Sequence, residues 1–140
     1  ADQVHLGRTG RGEHPVDEHA DLEDKYHAVD ELPRERLVLG AMAVAHAEGA
    51  LDKTLEYVMQ RKAFGQPIAS FQNTRFELAK VKTEIEVHRA FVEKCSRLYA
   101  ERRLDVPTAA MVKLATSEME GRVTDACLQL FGGYGYMGEY

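Results

Sequence analysis

The sequence predicts an all-α protein, an antiparallel bundle of three long helices. Apolar residues recur every three or four positions in three long segments, the spacing that places them on one face of a helix. No segment of the 140 residues alternates apolar and polar positions as a half-buried strand does. No repeat of 20–50 residues is visible either. Long helices joined by short connections therefore describe the chain best.

The first helix is expected from about Asp30 to the turn before Gly65. Pro33 suits its first turn, where the missing amide hydrogen is harmless. Gly65 followed by Pro67 is a common helix stop. The expected core stripe consists of Leu37, Ala41, Val44, Leu51, Leu55 and Val58.

The second helix is expected from about Phe71 to Arg103. Its stripe alternates steps of three and four without a break, which favours a seam lying along other helices. His88 falls within that seam, where a lone histidine is more often an interior residue than a ligand. The stripe consists of Leu78, Val81, Ile85, His88, Val92, Cys95 and Tyr99.

The third helix is expected to begin with Asp105 as its N-cap and Pro107 in its opening turn. Ser117 and Gly121 are small enough to let a neighbouring helix approach closely. The glycine-rich residues 132–140 cannot continue the helix. A four-helix bundle needs one more helix, so we expect the domain to be incomplete at its C-terminus. The expected stripe consists of Ala110, Leu114, Ser117, Gly121, Thr124, Leu128 and Phe131.

Residues 1–25 differ from the rest, because three glycines, one proline and many charges leave few large apolar side chains. This composition predicts a linker or disordered arm. His5, His14 and His19 lie near acidic residues there, but their spacing matches no compact metal-binding motif. We therefore predict no metal site.

Composition excludes several functions. A net charge of −5 argues against nucleic-acid binding, and no run approaches the roughly 20 apolar residues of a membrane span. Cys95 and Cys127 lie far apart without a CxxC spacing, so a disulfide or zinc site is not expected. Free thiols indicate a reducing compartment. We expect a cytoplasmic protein, or one of the mitochondrial matrix if the source is eukaryotic.

Two segments contain candidate functional residues, one at the start of the first helix and one at its end. Residues 31–40, ELPRERLVLG, place two acids four positions apart with arginines between them, which is also typical of a solvated first turn. Residues 60–72, QRKAFGQPIASFQ, place Arg61 in the last turn, where a cation suits the helix dipole. Its guanidinium also has the fork geometry for a pyrophosphate. Phe64 would ordinarily be a core anchor across the turn.

A third segment, residues 127–140, reads CLQLFGGYGYMGEY. Paired glycines after a helix permit close approach of the backbone to a ligand and expose amide groups. The pattern is neither GxGxxG after a strand nor a P-loop, so no common nucleotide fingerprint applies. A helix cap followed by a turn explains it equally well.

The order and spacing of the three segments are more specific than any one of them. With the details ASF-Q, KLATSE and QLFGGYGY, they resemble the C-terminal domain of acyl-CoA dehydrogenases over residues 26–140. The chain is most similar to the long-chain type, through ELPRERL, YVMQRKAFGQPIASFQ, RAFVEKC, RLD and QLFGGYGYMGEY. The resemblance implies the helical domain of a three-domain, usually tetrameric, FAD enzyme. Such enzymes oxidise the Cα–Cβ bond of an acyl-CoA to the trans-2-enoyl product.

The resemblance also assigns roles to residues. It makes Glu35 the catalytic base, and it implies acyl-CoA and an electron-transfer flavoprotein as partners within a homo-oligomer, a dimer or tetramer. The residues matched to the acyl site are Tyr26, Pro33, Arg34 and Arg36. The residues matched to FAD contacts are Arg61, Phe64 and Gln72, reaching a neighbouring subunit, with Gln129, Leu130, Phe131, Gly132 and Gly133.

Two other functions remain open at this point. One is a non-catalytic helical module kept for oligomerisation, and the other is a domain of a related acyl-CoA oxidase or flavin monooxygenase. Whichever holds, we expect these 140 residues alone to be inactive, because the domains that make most of the flavin contacts in the family are not among them.

Overall fold

A computed structural model describes residues 18–138 of the chain, and their side chains from residue 31 onward. Three long helices dominate it, as the periodicity predicts, and the all-α class is confirmed. The one pair of strands in the described part is a hairpin of two residues on each side. In chain order the elements are α1 (Glu18–Gln60), β1 (Lys62–Ala63), β2 (Gln66–Pro67), a 3-10 turn (Ile68–Ser70), α2 (Gln72–Ala100), α3 (Val106–Phe131) and a second 3-10 turn (Gly132–Tyr136).

Ion pairs join α2 to both of its neighbours. Arg89 of α2 pairs with Glu48 of α1. Further back along α2, Glu84 accepts hydrogen bonds from Arg122, near the end of α3, at 3.3 Å. Because both connections are short, α2 runs antiparallel to its two neighbours. Helices α1 and α3 consequently lie parallel to each other.

The core lies between the three helices. The predicted α2 stripe is confirmed at Val81, Ile85, Val92 and Cys95, whereas Tyr99 at its end is exposed. Both cysteines are free, and burial raises the pKa of each thiol above its usual value. The core residues are Leu37, Val44, Ala47, Leu51, Val81, Ile85, Val92, Cys95, Val112, Met119, Val123 and Cys127.

Helix α1 is longer than the sequence predicts. It begins at Glu18, spans 43 residues and is about 64 Å long. The expected linker is therefore helical over residues 18–25, and its residues 1–17 lie outside the described part. Composition averaged over 1–25 hides the change, because every glycine and proline in that stretch precedes Glu18. Pro33 is correspondingly buried inside the helix, not in its first turn.

Helix α3 buries a different face from the predicted one. Leu114, expected in the core, is 57% exposed, and Gly121 has open space around it. The error has a physical cause: α3 is apolar on two sides, and both stripes advance by steps of three and four. Only the positions of α1 and α2 decide between them. The buried residues of α3 are Ala109, Val112, Thr116, Met119, Val123 and Cys127.

The connection from α2 to α3 uses the expected cap. The Thr108 amide donates to Asp105 Oδ1 at 2.7 Å. Hydrogen bonds from the side chain and the amide of Thr108 lower the pKa of the Asp105 carboxyl. At the end of α2, the Arg103 amide donates to Leu98 O at 2.8 Å while Arg102 adopts a left-handed φ of 55°. This is a Schellman-type ending with arginine where glycine is usual.

The close approach between helices depends on Gly40, not on Gly121 as the sequence suggested. A Cβ atom built on Gly40 would lie 3.2 Å from Thr116 Oγ1 and 3.5 Å from Val112 Cγ2. Thr116 is fully buried, and its hydroxyl donates to Val112 O at 2.7 Å. The threonine therefore cannot move aside without losing that hydrogen bond.

Replacing Gly40 by leucine should lower the free energy of unfolding by about 1–3 kcal/mol, because the new side chain meets α3. Gly121→Leu is the matched control, since a Cβ atom built on Gly121 meets no neighbouring element within 4 Å and a helix favours leucine over glycine. Chemical denaturation followed by circular dichroism measures both. Equal effects of the two variants would contradict the packing described here.

Candidate functional site

The ends of α1 and α3 are joined by a stacked pair of aromatic rings. The centroids of Tyr57 and Phe131 lie 4.3 Å apart, with 18° between the ring planes. The Tyr57 hydroxyl also donates to the Phe131 carbonyl oxygen at 3.3 Å. Stacking and hydrogen bond together fix the end of α3 beside the end of α1.

Arg61 follows α1 directly and contacts the same region. Its guanidinium carbon lies 4.9 Å from the centroid of the Tyr134 ring, within the range of a cation–π contact. Its amide continues the helix by donating to Tyr57 O at 2.8 Å. The side chain as a whole remains exposed. The structure thus brings Arg61 to Tyr134 in the glycine-rich turn, although the two residues are 73 positions apart in sequence.

The hairpin after Arg61 points an aromatic ring into solvent. Phe64 has a φ of 53° and is 97% exposed, so it is not the core anchor that the sequence suggested. Its ring meets Phe71 edge-on at 6.3 Å. The Ile68 amide donates to Arg61 O at 2.9 Å and closes the hairpin. Gln72, the first residue of α2, is exposed just beyond it.

The segment 129–133 presents backbone as well as side chains at this end of the bundle. Gln129 is exposed, while Leu130 and Phe131 are half-buried. Gly132 adopts φ 59° and ψ −136°, a conformation open essentially to glycine alone. A Cβ atom on Gly133 would meet no atom within 4 Å. A ligand could therefore approach the main chain closely here.

A second candidate site lies on the outward side of α1. Glu35 lines an open groove of about 420 Å³ together with Glu31, Arg34, Val38 and Leu39. Arg34 Nη1 lies 3.0 Å from Glu31 Oε2. Among residues 31–138, no hydrogen bond or ion pair involves the Glu35 carboxylate. The groove therefore combines a free carboxylate with apolar walls.

The other residues matched to the acyl site are not all at this groove. Pro33 is buried and borders a different groove, with Tyr99 and Leu104. Arg36 is half-buried, and the side chain of Tyr26 lies outside the described part of the chain.

The two candidate sites are far apart within one chain. Glu35 and Arg61 are separated by 26 positions along α1 and its end. At roughly 1.5 Å per residue the distance between them is about 39 Å. A single copy of this chain therefore does not bring both residues to one small-molecule site.

Sequence analysis missed Tyr57 and Tyr134 as members of the cluster that holds Arg61. Both lie inside the motifs already singled out, in YVMQRK and GGYGY, so the motifs themselves were the available signal. It also missed Val38 and Leu39 as groove residues, because they belong neither to the predicted core stripe nor to the positions matched to the acyl site.

The family model described as "Acyl-CoA dehydrogenase, C-terminal domain" matches residues 26–140, which include both candidate sites. The chain belongs to the acyl-CoA dehydrogenase family. The resemblance seen in the sequence is thereby confirmed, and the helical domain it implied agrees with the fold.

Individual acyl-CoA dehydrogenase relatives agree with the family match. The long-chain specific mitochondrial enzyme of Rattus norvegicus is 44% identical over 115 residues, which are 82% of this chain and 27% of the relative. A solved acyl-CoA dehydrogenase from Geobacillus kaustophilus superposes with a TM-score of 0.79 at 39% identity, covering 82% of this chain and 30% of that one. A chain in a structure described as the electron transferring flavoprotein of Acidaminococcus fermentans gives 0.78 at 36% identity, covering 81% and 30%. The chain thus spans under a third of the length of these relatives.

Two features are absent from the described residues of this acyl-CoA dehydrogenase domain. None of the helices there combines the length and hydropathy needed to cross a bilayer. Between residues 18 and 138, no three His, Cys, Asp or Glu side chains come together in a way that could hold a metal ion.

Tyr57→Phe should lower the free energy of unfolding of the acyl-CoA dehydrogenase domain by about 0.5–1.5 kcal/mol, because it removes the hydrogen bond to Phe131 and keeps the stacked ring. Tyr57→Ala should cost more, since the ring contact is lost as well. Denaturant titration measures both. If the phenylalanine and alanine variants were equally stable, the ring stack would not hold the two helix ends together.

Proposed function

We propose that the protein containing this chain is an FAD-dependent acyl-CoA dehydrogenase, with residues 26–140 in its C-terminal helical domain. The observation that carries the proposal is the family match, which covers the groove around Glu35 and the cluster around Arg61 together. The substrate would be an acyl-CoA thioester, and the 44% identity to a long-chain specific enzyme favours a long acyl chain.

The cluster around Arg61 is the proposed contact to the diphosphate half of FAD. A diphosphate is an anion, and an exposed guanidinium is its preferred partner because two N–H groups can bind two oxygens. Gln72 and Gln129 add exposed amides, and the main chain at Gly133 is open to close approach. Phe64, almost fully exposed, offers an apolar face beside them. These residues fit the group, which when bound supplies the acceptor for a hydride.

Glu35 is the proposed base. Its carboxylate takes the proton from Cα of the thioester, and the pair of electrons left on Cα forms the new double bond as hydride departs from Cβ. The α-proton is weakly acidic, so the base has to be free of competing cations and shielded from water. Among the described side chains, no cation pairs with Glu35, and the nearby Arg34 is paired with Glu31. A bound acyl chain over Val38 and Leu39 would help to meet the second.

The distance between the sites supports a homo-oligomer, a dimer or tetramer. Since Glu35 and Arg61 lie about 39 Å apart on one rigid helix, each would serve a different active site. Glu35 would act on the substrate of its own subunit, and Arg61 would reach the FAD of a neighbour. The likeness to a chain from an electron-transferring flavoprotein structure supports such a flavoprotein as electron acceptor. Two free, buried cysteines suit a reducing compartment, the cytoplasm or mitochondrial matrix.

A non-catalytic assembly module is the second candidate function. The observation that favours it is apolar exposure: Val38, Leu39 and Met42 of α1 and Phe76 and Val87 of α2 are each about half exposed or more. Surfaces of this kind are normally covered by another chain or domain. The variants below separate this function from the enzymatic one, because a module would tolerate loss of the Glu35 carboxylate.

Glu35→Gln in the complete enzyme should reduce kcat by roughly 10²–10⁴-fold, because the amide cannot accept the α-proton. Binding of acyl-CoA and the melting temperature should change little, since the side chain is exposed and unpaired in the described part. Glu93→Gln, an exposed glutamate on α2, serves as control. Reduction of a dye by acyl-CoA gives the rates. Near-normal turnover of Glu35→Gln would assign the base to another carboxylate.

Arg61→Ala should weaken FAD binding by about 10- to 100-fold, the effect of losing a charge-assisted, bidentate contact. Lys62→Ala removes the same charge one position later and should have little effect, because an ammonium in the hairpin strand lacks the fork geometry. The flavin retained after dialysis, read from its visible absorbance, measures both. Equal loss of flavin in the two variants would contradict a specific Arg61 contact and indicate a general effect of positive charge.

The 140-residue chain alone should be colourless and should not reduce a dye with acyl-CoA. It carries the two sites about 39 Å apart along α1 and contributes only part of what FAD contacts in the proposed assembly. Absorbance of the purified chain mixed with FAD, before and after gel filtration, tests this directly. A yellow, active sample would show that these residues suffice.

A further inference from the structure

Arg61 meets an aromatic ring where a carboxylate would be the more usual partner of a guanidinium. Its guanidinium carbon lies 4.9 Å from the centroid of the Tyr134 ring. Among the side chains of residues 31–138, no carboxylate forms an ion pair with it. A ring attracts a cation without neutralising it. The contact therefore holds the guanidinium and leaves its positive charge available to an anion.

Two neighbouring contacts join the end of α1 to the glycine-rich turn. Tyr57 and Arg61 are four positions apart, and the Arg61 amide donates to Tyr57 O at 2.8 Å, so both side chains lie on one face. Phe131 and Tyr134 are three positions apart, the spacing that aligns side chains in a 3-10 turn. Tyr57 stacks on Phe131 with 4.3 Å between centroids. This stacked pair places the second contact, the one between Arg61 and Tyr134.

The turn that carries Tyr134 is packed closely on α3. A Cβ atom built on Gly135 would lie 2.7 Å from Leu128 Cδ1 and 3.1 Å from Leu128 O, so a side chain there would push the turn away. The Met137 amide donates to Tyr134 O at 3.1 Å. Tyr134 is half-buried, whereas Tyr136 in the same turn is 76% exposed. The Tyr134 ring thus has a firm support, and the ring of Tyr136 is mostly in solvent.

We propose that Tyr134 is a positioning residue that orders the Arg61 guanidinium for the diphosphate of FAD before the cofactor binds. The inference rests on the proposed function, since it requires Arg61 to bind that diphosphate. A free arginine side chain samples many rotamers, and confining it during binding costs free energy. A guanidinium already held over a ring has lost part of that freedom. FAD therefore binds with a smaller loss of entropy.

A purely structural role of Tyr134 is the alternative to be separated. Loss of the ring could shift the main chain at Gly132 and Gly133, which is itself a proposed cofactor contact. Tyr134→Phe keeps the ring face and with it the cation–π contact. Tyr136→Leu removes a largely exposed tyrosine from the same turn and is the matched control.

The experiment titrates FAD into the flavin-free form of the complete enzyme and follows the flavin fluorescence, so that no turnover is needed. Tyr134→Leu and Tyr134→Met should each raise the Kd for FAD about two- to fivefold, the effect of leaving one long side chain unordered. Tyr134→Phe and Tyr136→Leu should stay within about 1.5-fold of the wild type. The melting temperature of each flavin-free variant reports on the fold. Unfolding of both ring-removing variants would overturn the proposal in favour of the structural role.

The double variant decides the mechanism. If Tyr134 acts by ordering Arg61, adding Tyr134→Leu to Arg61→Ala should change the Kd by less than about 1.5-fold, since no guanidinium is left to hold. An equal rise in Kd with and without Arg61 would overturn the proposal, because the ring would then act directly or through the turn. So would an unchanged Kd for Tyr134→Leu, or a rise for Tyr134→Phe as large as that for Tyr134→Leu.

Failure of this inference and failure of the proposed function give different results. If Arg61→Ala binds FAD like the wild type, the proposed contact to the diphosphate fails, and the inference fails with it. If Arg61→Ala loses FAD while Tyr134→Leu keeps the wild-type Kd, the proposed contact stands and only the positioning role of Tyr134 is lost.

Discussion

The parallel contact of α1 with α3 is the constraint on which the rest of the molecule depends. Near the middle of α1, Gly40 admits the buried Thr116 because it has no side chain. At the end of α1, Tyr57 stacks on Phe131 and donates a hydrogen bond to its carbonyl oxygen. Since α1 is one continuous helix, it holds its two candidate sites at a constant separation.

Because of that separation, one helix contributes residues to two separate candidate sites. The outward groove near the start of the described side chains carries free negative charge, whereas the far end carries the cation Arg61, held over Tyr134. The negative charge suits the proposed base, which has to accept a proton, and the positive charge suits the proposed contact to an anion. In the proposed oligomer, each copy of α1 would serve two neighbouring active sites, and the exposed apolar faces would be covered by other copies.

The sequence predicted helix caps and the α2 core stripe correctly, but not the start of α1 or the buried face of α3. The Asp105 cap follows from a short polar side chain before a proline, and the α2 stripe follows from an unambiguous period. The start of α1 was misjudged because glycine and proline at 7–15 dominate the composition of the whole arm. The buried face of α3 was misjudged because periodicity cannot choose between two apolar sides of one helix.

The sequence by itself determined three helices, their order, the family and the residues in which chemistry is to be sought, because propensity and motif spacing are local properties of the chain. Tertiary structure alone decided how those residues are used. It buried Thr116 against Gly40, exposed Phe64 and placed Arg61 over the ring of Tyr134. The contacts with α3 depend on which helix faces lie together, and the others on which side-chain conformers those surroundings allow, so spacing along the chain does not specify them.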